Sequence, residues 1–192
     1  MKKTLLILSL LLSTLSFSQV SVNKGVYFAK EFSKDVSLYK AKNFVMSEII
    51  GVEKKITKFE IDPLAAAKSG ELTTLVYKCE EKKISGLVLG FYGDRWNDSG
   101  VSYQAYAFKN LPINKALEIL SKLKKSIEDE SKFLSQDYDN NNIFFRYDDI
   151  TFLIYKTNGG LKIRVFWNGF DSEWESTAFG RTKRRFEKSI NK

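Results

Sequence analysis

The chain has 192 residues, no histidine and one cysteine, Cys79, so it cannot build Ser-His-Asp or Cys-His nucleophile systems, histidine general bases, His-containing zinc sites or an internal disulfide. Its 31 Lys and Arg against 23 Asp and Glu give a net charge of +8, a balance that suits anionic surfaces such as lipid headgroups or acidic glycans and equally serves solubility. Apolar residues at 43% with 28% charged are globular proportions, and 15 Phe, 9 Tyr and 3 Trp tilt the chain towards strands.

Met1-Lys2-Lys3-Thr4, the apolar run Leu5 to Leu12 and the small residues Ser16 and Ser18 before Gln19 have the order of a cleavable signal peptide. Removal of residues 1–18 leaves 174 and takes Lys2 and Lys3 with it, lowering the net charge from +8 to +6. The expectation is one exported α+β domain over residues 19–192, soluble in the periplasm or outside the cell. No stretch of the mature chain approaches the ~20 apolar residues of a membrane helix, so no transmembrane segment is expected.

Residues 20–50 show no clear period and read as mixed. Ile56 to Ile61 has apolar residues at its ends and middle and stops at Asp62-Pro63, which predicts a half-buried strand, and Leu64 to Gly70 predicts a helical turn ended by glycine. Leu72–Cys79 and Ile84–Phe91 form a hairpin across the charged turn Glu80 to Lys83. After a loop from Tyr92 to Gly100, Val101 to Phe108 is the next strand. A long amphipathic helix starts at Pro112 and carries Ile113, Ala116, Leu120, Leu123, Ile127 and Leu134 on one stripe. Beyond Asn140-Asn141-Asn142 come three strands, Ile143–Tyr147, Ile150–Lys156 and Leu161–Trp167, turned by Asp148-Asp149 and by Thr157-Asn158-Gly159-Gly160. Thr182 is placed as the N-cap of a short C-terminal helix bearing Phe186 and Ile190.

This order predicts an α+β fold: an antiparallel sheet of about six or seven strands, with the long helix and the short C-terminal helix packed on one face. A partly closed β-barrel is the alternative. Trp96-Asn97-Asp98-Ser99 and Trp167-Asn168 to Asp171-Ser172 occupy similar places in two β-then-helix units, the pattern of a duplication.

Three constellations are candidate sites. Asp137, Asp139, Asn141 and Asp148 stand at positions one, three, five and twelve of a segment that resembles an EF-hand calcium loop. Asn142 replaces the usual glycine, Asp148 the longer glutamate, and a strand follows instead of a helix, all of which favour a polar connection over a calcium site. No other cofactor is expected. Asp94, Arg95, Trp96 and Asp98 in one aromatic loop, with Trp167, Asn168, Asp171 and Trp174 in another, combine flat rings with polar groups as sugar-binding sites do. Paired carboxylates there could serve a glycan hydrolase if they stood ~5–10 Å apart. Arg181, Lys183, Arg184, Arg185 and Lys188 form a basic cluster that could meet an anionic surface or simply face solvent. Gly86, Gly90 and Gly93 lack the Gly-Lys-Ser/Thr ending of a phosphate loop.

The resulting reading is an exported, non-enzymatic binding protein of unknown ligand, with an anionic surface, a glycan or another exported protein as its partner and no nucleic acid expected. The alternatives are a carboxylate-based glycan hydrolase at the two aromatic loops, and an anionic-surface or protein-partner adaptor using the basic C-terminal helix.

Overall fold

The computed structural model describes residues 26–28, 34–51, 54–96 and 99–191; the expected signal peptide lies outside them. It is α+β with two antiparallel sheets and no closed barrel. Sheet A has the order β1-β5-β4-β3-β2 and sheet B the order β6-β7-β8-β9. The strands of sheet A are β1 (Val26–Phe28), β2 (Glu60–Ala66), β3 (Leu72–Cys79), β4 (Ile84–Trp96) and β5 (Ser102–Pro112). Those of sheet B are β6 (Asn142–Tyr147), β7 (Ile150–Thr157), β8 (Gly160–Trp167) and β9 (Phe170–Glu173). The helices are α1 (Lys34–Phe44), continued by a π-helical turn over Val45–Ile50, then α2 (Ile113–Asp129), the single turn α3 (Ser131–Leu134) and α4 (Ser176–Ile190).

Alternation along the strands of sheet A makes both of its faces apolar, and each acquires its own cover. Leu72 and Val76 on β3, Leu87, Leu89 and Phe91 on β4, and Ala105, Ala107 and Leu111 on β5 share one core with the inner face of sheet B and with α2 and α4. The intervening residues Leu75, Tyr77, Cys79, Val88, Tyr106 and Phe108 meet Ala41, Val45 and Ile50 of α1 and its π-helical extension. Helices therefore cover both faces of sheet A, where one face was expected, and the single sheet of six or seven strands is two sheets. Cys79 is fully buried.

Gly86 and Gly90 of β4 make the second core possible. A Cβ on Gly90 would sit 2.5 Å from Thr73 Oγ1 and 3.1 Å from the Phe108 ring, and one on Gly86 would sit 2.8 Å from Tyr77 Oη. Large rings on β3 and β5 thus lie over bare backbone between them, which is why glycine stands inside a strand.

Several expected boundaries move. Residues 56–59 are not strand, and Ile56 is 89% exposed. The strand begins at Glu60 and takes Leu64 to Ala66 from the segment expected as a helical turn, leaving a turn over Ala67 to Gly70 (Gly70 N–H to Ala67 O, 3.0 Å), with a bulge between Pro63 and Ala65 that turns Leu64 into the core. β4 runs on to Trp96 through half of the expected 92–100 loop, and β5 starts at Ser102 and continues past the expected end at Phe108 to Pro112. Pro112 is the last residue of β5 and also the N-cap of α2, which stops at Asp129 so that Leu134 belongs to the separate turn α3. The C-terminal helix starts at Ser176, not Thr182, because Ala178, Phe179, Thr182 and Phe186 form one buried stripe. The Thr182 hydroxyl caps nothing; it donates to Ala178 O (2.9 Å) and lies 2.7 Å from Thr74 Oγ1.

Four meandering strands followed by a helix occur twice, as β2 to β5 with α2 and as β6 to β9 with α4. The Trp-Asn dipeptides that suggested a repeat, Trp96-Asn97 and Trp167-Asn168, each follow from the end of the third strand of their unit.

Candidate functional site

Where the two aromatic segments meet, part of the expected site assembles. Arg95 and Phe91 point from β4 towards sheet B, where the Phe91 ring lies 5.0 Å from Trp167 and 5.9 Å from Phe170. The Arg95 guanidinium stands 5.3 Å from the Phe170 ring centre and against Gly169, where a Cβ would come within 2.5 Å of Nη2. Asn168 and Gly169, at φ of 49° and 76°, form the two-residue turn between β8 and β9, a geometry that Asn and Gly tolerate best. Lys109 of β5 donates to both oxygens of Asp149 (2.7 and 2.8 Å), Trp167 Nε1–H donates to Asp149 Oδ2 (2.8 Å), and Lys109 Nζ lies 5.5 Å from the Trp167 ring centre. Burial alone would raise the Asp149 carboxyl, but the hydrogen bonds from Lys109 and Trp167 outweigh it and hold the group below the ordinary carboxylate range.

This junction joins the sheets; it does not gather carboxylates. Asp94, one residue from Arg95, faces the α1 side of sheet A and accepts a hydrogen bond from Gln104. Asp171 faces out from sheet B and takes Arg164 Nε–H at 2.7 Å. The main core lies between the two aspartates, so they do not form a hydrolytic pair. Trp174 is 1% exposed and packs edge-on against Phe179 at 5.3 Å in the core, away from any ligand. Asp98 and the side chain of Trp96 lie outside the described residues. Lys109, Asp149, Phe91 and Phe170 were missed in the sequence; Lys109 stood just past the expected strand end at Phe108, so its inward position on β5 was not visible there.

The calcium spacing comes apart for the reason given by its strand. Asp137 and Asn141 stay in the loop before β6, where Asn140 Nδ2 donates to Asp137 Oδ1 (3.0 Å), and β6 then carries Asp148 about 20 Å away at ~3.3 Å per residue. There Asp148 meets Lys115 at 2.5 Å, which raises the lysine's pKa. Asp139 sits at φ 66° with its N–H on Lys156 O. Among the described residues no three His, Cys, Asp or Glu side chains converge as a cation site.

Of the basic cluster, Lys183 pairs with Glu187 and Arg185 Nη1 donates to Leu64 O on β2 (2.5 Å), while Arg181, Arg184 and Lys188 are exposed. Phe186, opposite them, is fully buried, so the helix docks on the domain and leaves a short cationic strip outside.

The outer face of sheet B is the most unusual surface. Its inner positions are already apolar: Ile143 and Phe145, Ile150, Phe152 and Ile154, Ile163 and Val165. Yet the alternate positions carry Phe144, Leu153, Tyr155 and Phe166 as well. Across the strands these form the rows Phe144, Leu153, Arg164, Glu173 and Arg146, Thr151, Phe166, Asp171, with Tyr155 beside Lys162. No described element packs on the face, where Phe144 is 75% exposed and Leu153, Tyr155 and Phe166 are half-buried. Lys162 Nζ pairs with Glu173 at 2.6 Å, which raises the lysine's pKa, and Arg164 is likewise held charged by Asp171. Both cations stay protonated, so the face can hold an anionic or aromatic group but offers no neutral amine for covalent chemistry. Among the described residues no helix is long and apolar enough to cross a membrane. Comparison of the chain with protein-family models, with curated proteins and with solved structures gave no match.

Proposed function

We propose that the chain is an exported, non-enzymatic binding protein that docks an extended, acidic and aromatic polypeptide on the outer face of sheet B. The carrying observation is that Phe144 on β6, Leu153 and Tyr155 on β7 and Phe166 on β8 stand on the outer side of strands whose inner side is already apolar and covered. A solvated face of an antiparallel sheet ordinarily alternates to polar residues, so Phe144, Leu153, Tyr155 and Phe166 call for an occupant. Lys162 and Arg164 among them are already paired with Glu173 and Asp171, so Arg146 leaves the face one net positive charge for a carboxylate of the ligand, and paired strands ~4.8 Å apart and up to ~20 Å long give the whole face roughly 300–400 Å².

One cavity among the described residues, between β2, β3, α2 and α4 and lined by Glu60, Asp62, Lys78, Ile113 and Ile190, holds about 90 Å³, too little for most small-molecule ligands. Ligand pockets run to ~300–1,000 Å³. Export rests on the signal-peptide order of residues 1–18. The hydrolase alternative would need carboxylates other than the pair Asp94 and Asp171, which lie on opposite sides of the core. The adaptor alternative keeps only Arg181, Arg184 and Lys188, because α4 has already spent its apolar stripe on the domain.

A displayed library of random heptapeptides tests the reading. Selected peptides should be rich in Asp, Glu and aromatics, and their affinity should fall about tenfold or more with Phe166→Ser or Arg164→Gln, as for a central interface residue. Arg184→Gln should leave it unchanged. Selection of no binder, or binders indifferent to both sheet variants, would refute the docking face.

A further inference from the structure

Each sheet leaves two edge strands with unpaired backbone groups, and natural folds protect such edges by shortness, proline, bulges or cover. Three of the four are protected here. β1 has three residues, β9 has four and its Glu173 N–H is taken by Glu71 Oε2 (2.8 Å), and β2 carries Pro63, a bulge and the Arg185 contact to Leu64 O. Among the described residues β6 has no such cover: Asn142-Ile143-Phe144-Phe145-Arg146-Tyr147 pairs with β7 without a register break and contains neither proline nor lysine, the charge of Arg146 being its one guard.

Its outward geometry follows from the turn. Tyr147 and Ile150 flank the two-residue turn Asp148-Asp149, so they exchange hydrogen bonds and the pairing alternates from there. The N–H and C=O of Asn142, Phe144 and Arg146 therefore point away from β7. The same Phe144 is 75% exposed.

We propose that the β6 edge pairs antiparallel with the β6 edge of a second copy of this chain, about a twofold axis at Phe144, to join two four-stranded sheets into one of eight. That register overlaps Asn142 to Arg146 and leaves only Tyr147 beyond the paired segment. It sets Phe144 against Phe144 of the second copy, Asn142 opposite Arg146, and Ile143 opposite Phe145, so no like charges face each other and aromatic or branched residues meet on both faces. A second copy is favoured over a foreign strand because the sequence is complementary to its own reverse at every pair. Six residues a side bury far less than the ~800 Å² per partner of a standard interface, so the dimer is weak and concentration-dependent.

Sedimentation equilibrium of the mature chain from micromolar to millimolar concentration reads this directly. The mean mass should climb from one chain towards two, while Phe144→Lys and Phe144→Pro stay monomeric with unchanged melting temperatures. Proline is tolerated there because that N–H serves no bond to β7; should it disturb folding, the lysine variant decides. A wild-type chain monomeric throughout, a dimer persisting in both variants, or capture of a foreign extended segment by a chain that never self-associates would each overturn the proposal. The mass requires no peptide and peptide selection requires no dimer, so the two readings fail separately.

Discussion

Truncating Phe186 separates a docked C-terminal helix from a surface one. Phe186 is fully buried on α4, in the core that also holds Leu64, Leu72 and Val76. Phe186→Ala removes a whole ring from a site whose neighbours are fixed by β2, β3 and the Thr74–Thr182 contact, so the cavity can collapse only partly. Phe→Ala at such a site costs about 3–5 kcal/mol. For a domain of this size each kcal/mol moves the melting temperature by ~2–4 °C, so a fall of roughly 6–20 °C is expected in thermal circular dichroism. Arg181→Gln and Arg184→Gln, on the outer side of the same helix, should stay within about ±0.5 kcal/mol of the parent. A Phe186→Ala variant that melts within ~2 °C of wild type would refute the docking of α4. If it also lost affinity for anionic vesicles, the helix would face the membrane and the basic cluster would be its site.

Gly90→Ala should destabilise by about 1–3 kcal/mol in urea titration, since its Cβ meets Thr73 Oγ1 and Phe108, whereas Gly93→Ala, with nothing within 4 Å, should be tolerated. The Asp149 carboxyl, held low by Lys109 and Trp167, adds stability at pH values above its unfolded pKa of ~3.9 and loses it as the pH falls through the lower folded value. The Trp167 indole N–H resonance should therefore move only below about pH 4, and Asp149→Asn should abolish that step. Tyr147, pushed up to about 12 by its hydrogen bond to Glu118, should titrate near 10 in Glu118→Gln; an unchanged titration would deny the contact. Thr182→Val should cost about 1 kcal/mol, because it removes one hydroxyl from a buried pair.

Strands bounded by turn residues were legible in the sequence: Leu72–Cys79 has the bounds its pattern implies, and β6, β7 and β8 differ by a residue at most. β9 was not, although Asn168-Gly169 is the same hairpin signal as Asn158-Gly159. Asp171, Ser172 and Glu173 are poor strand formers, and they pair there because Arg164 and Lys162 wait on β8 and Ser172 turns inward. The start of α4 was hidden by Gly180, which reads as a helix breaker, while the buried stripe Ala178, Thr182, Phe186 runs straight past it. Periodicity assigns faces but not partners, so one sheet could not be told from two.

The same rule explains the site. Arg95 lies against Gly169 and Phe170, but a period of two puts Asp94 on the opposite face from Arg95, a separation hidden in the sequence because 92–100 read as a loop and not as strand. The outer face of sheet B was overlooked because runs such as Ile150 to Tyr155 read as ordinary buried strand. Only the three-dimensional arrangement reveals that one of their sides has no cover.

The most direct test of the docking face is an amide chemical-shift map of the mature chain titrated separately with a selected acidic-aromatic heptapeptide, a neutral oligosaccharide and anionic vesicles. Docking on sheet B predicts peptide-induced shifts confined to residues 144–146, 151–155 and 162–166, the outer positions of β6, β7 and β8. Shifts at 92–96 and 167–171 with the oligosaccharide, or at 181–188 with vesicles, while the sheet B amides stay still with the peptide, would contradict it.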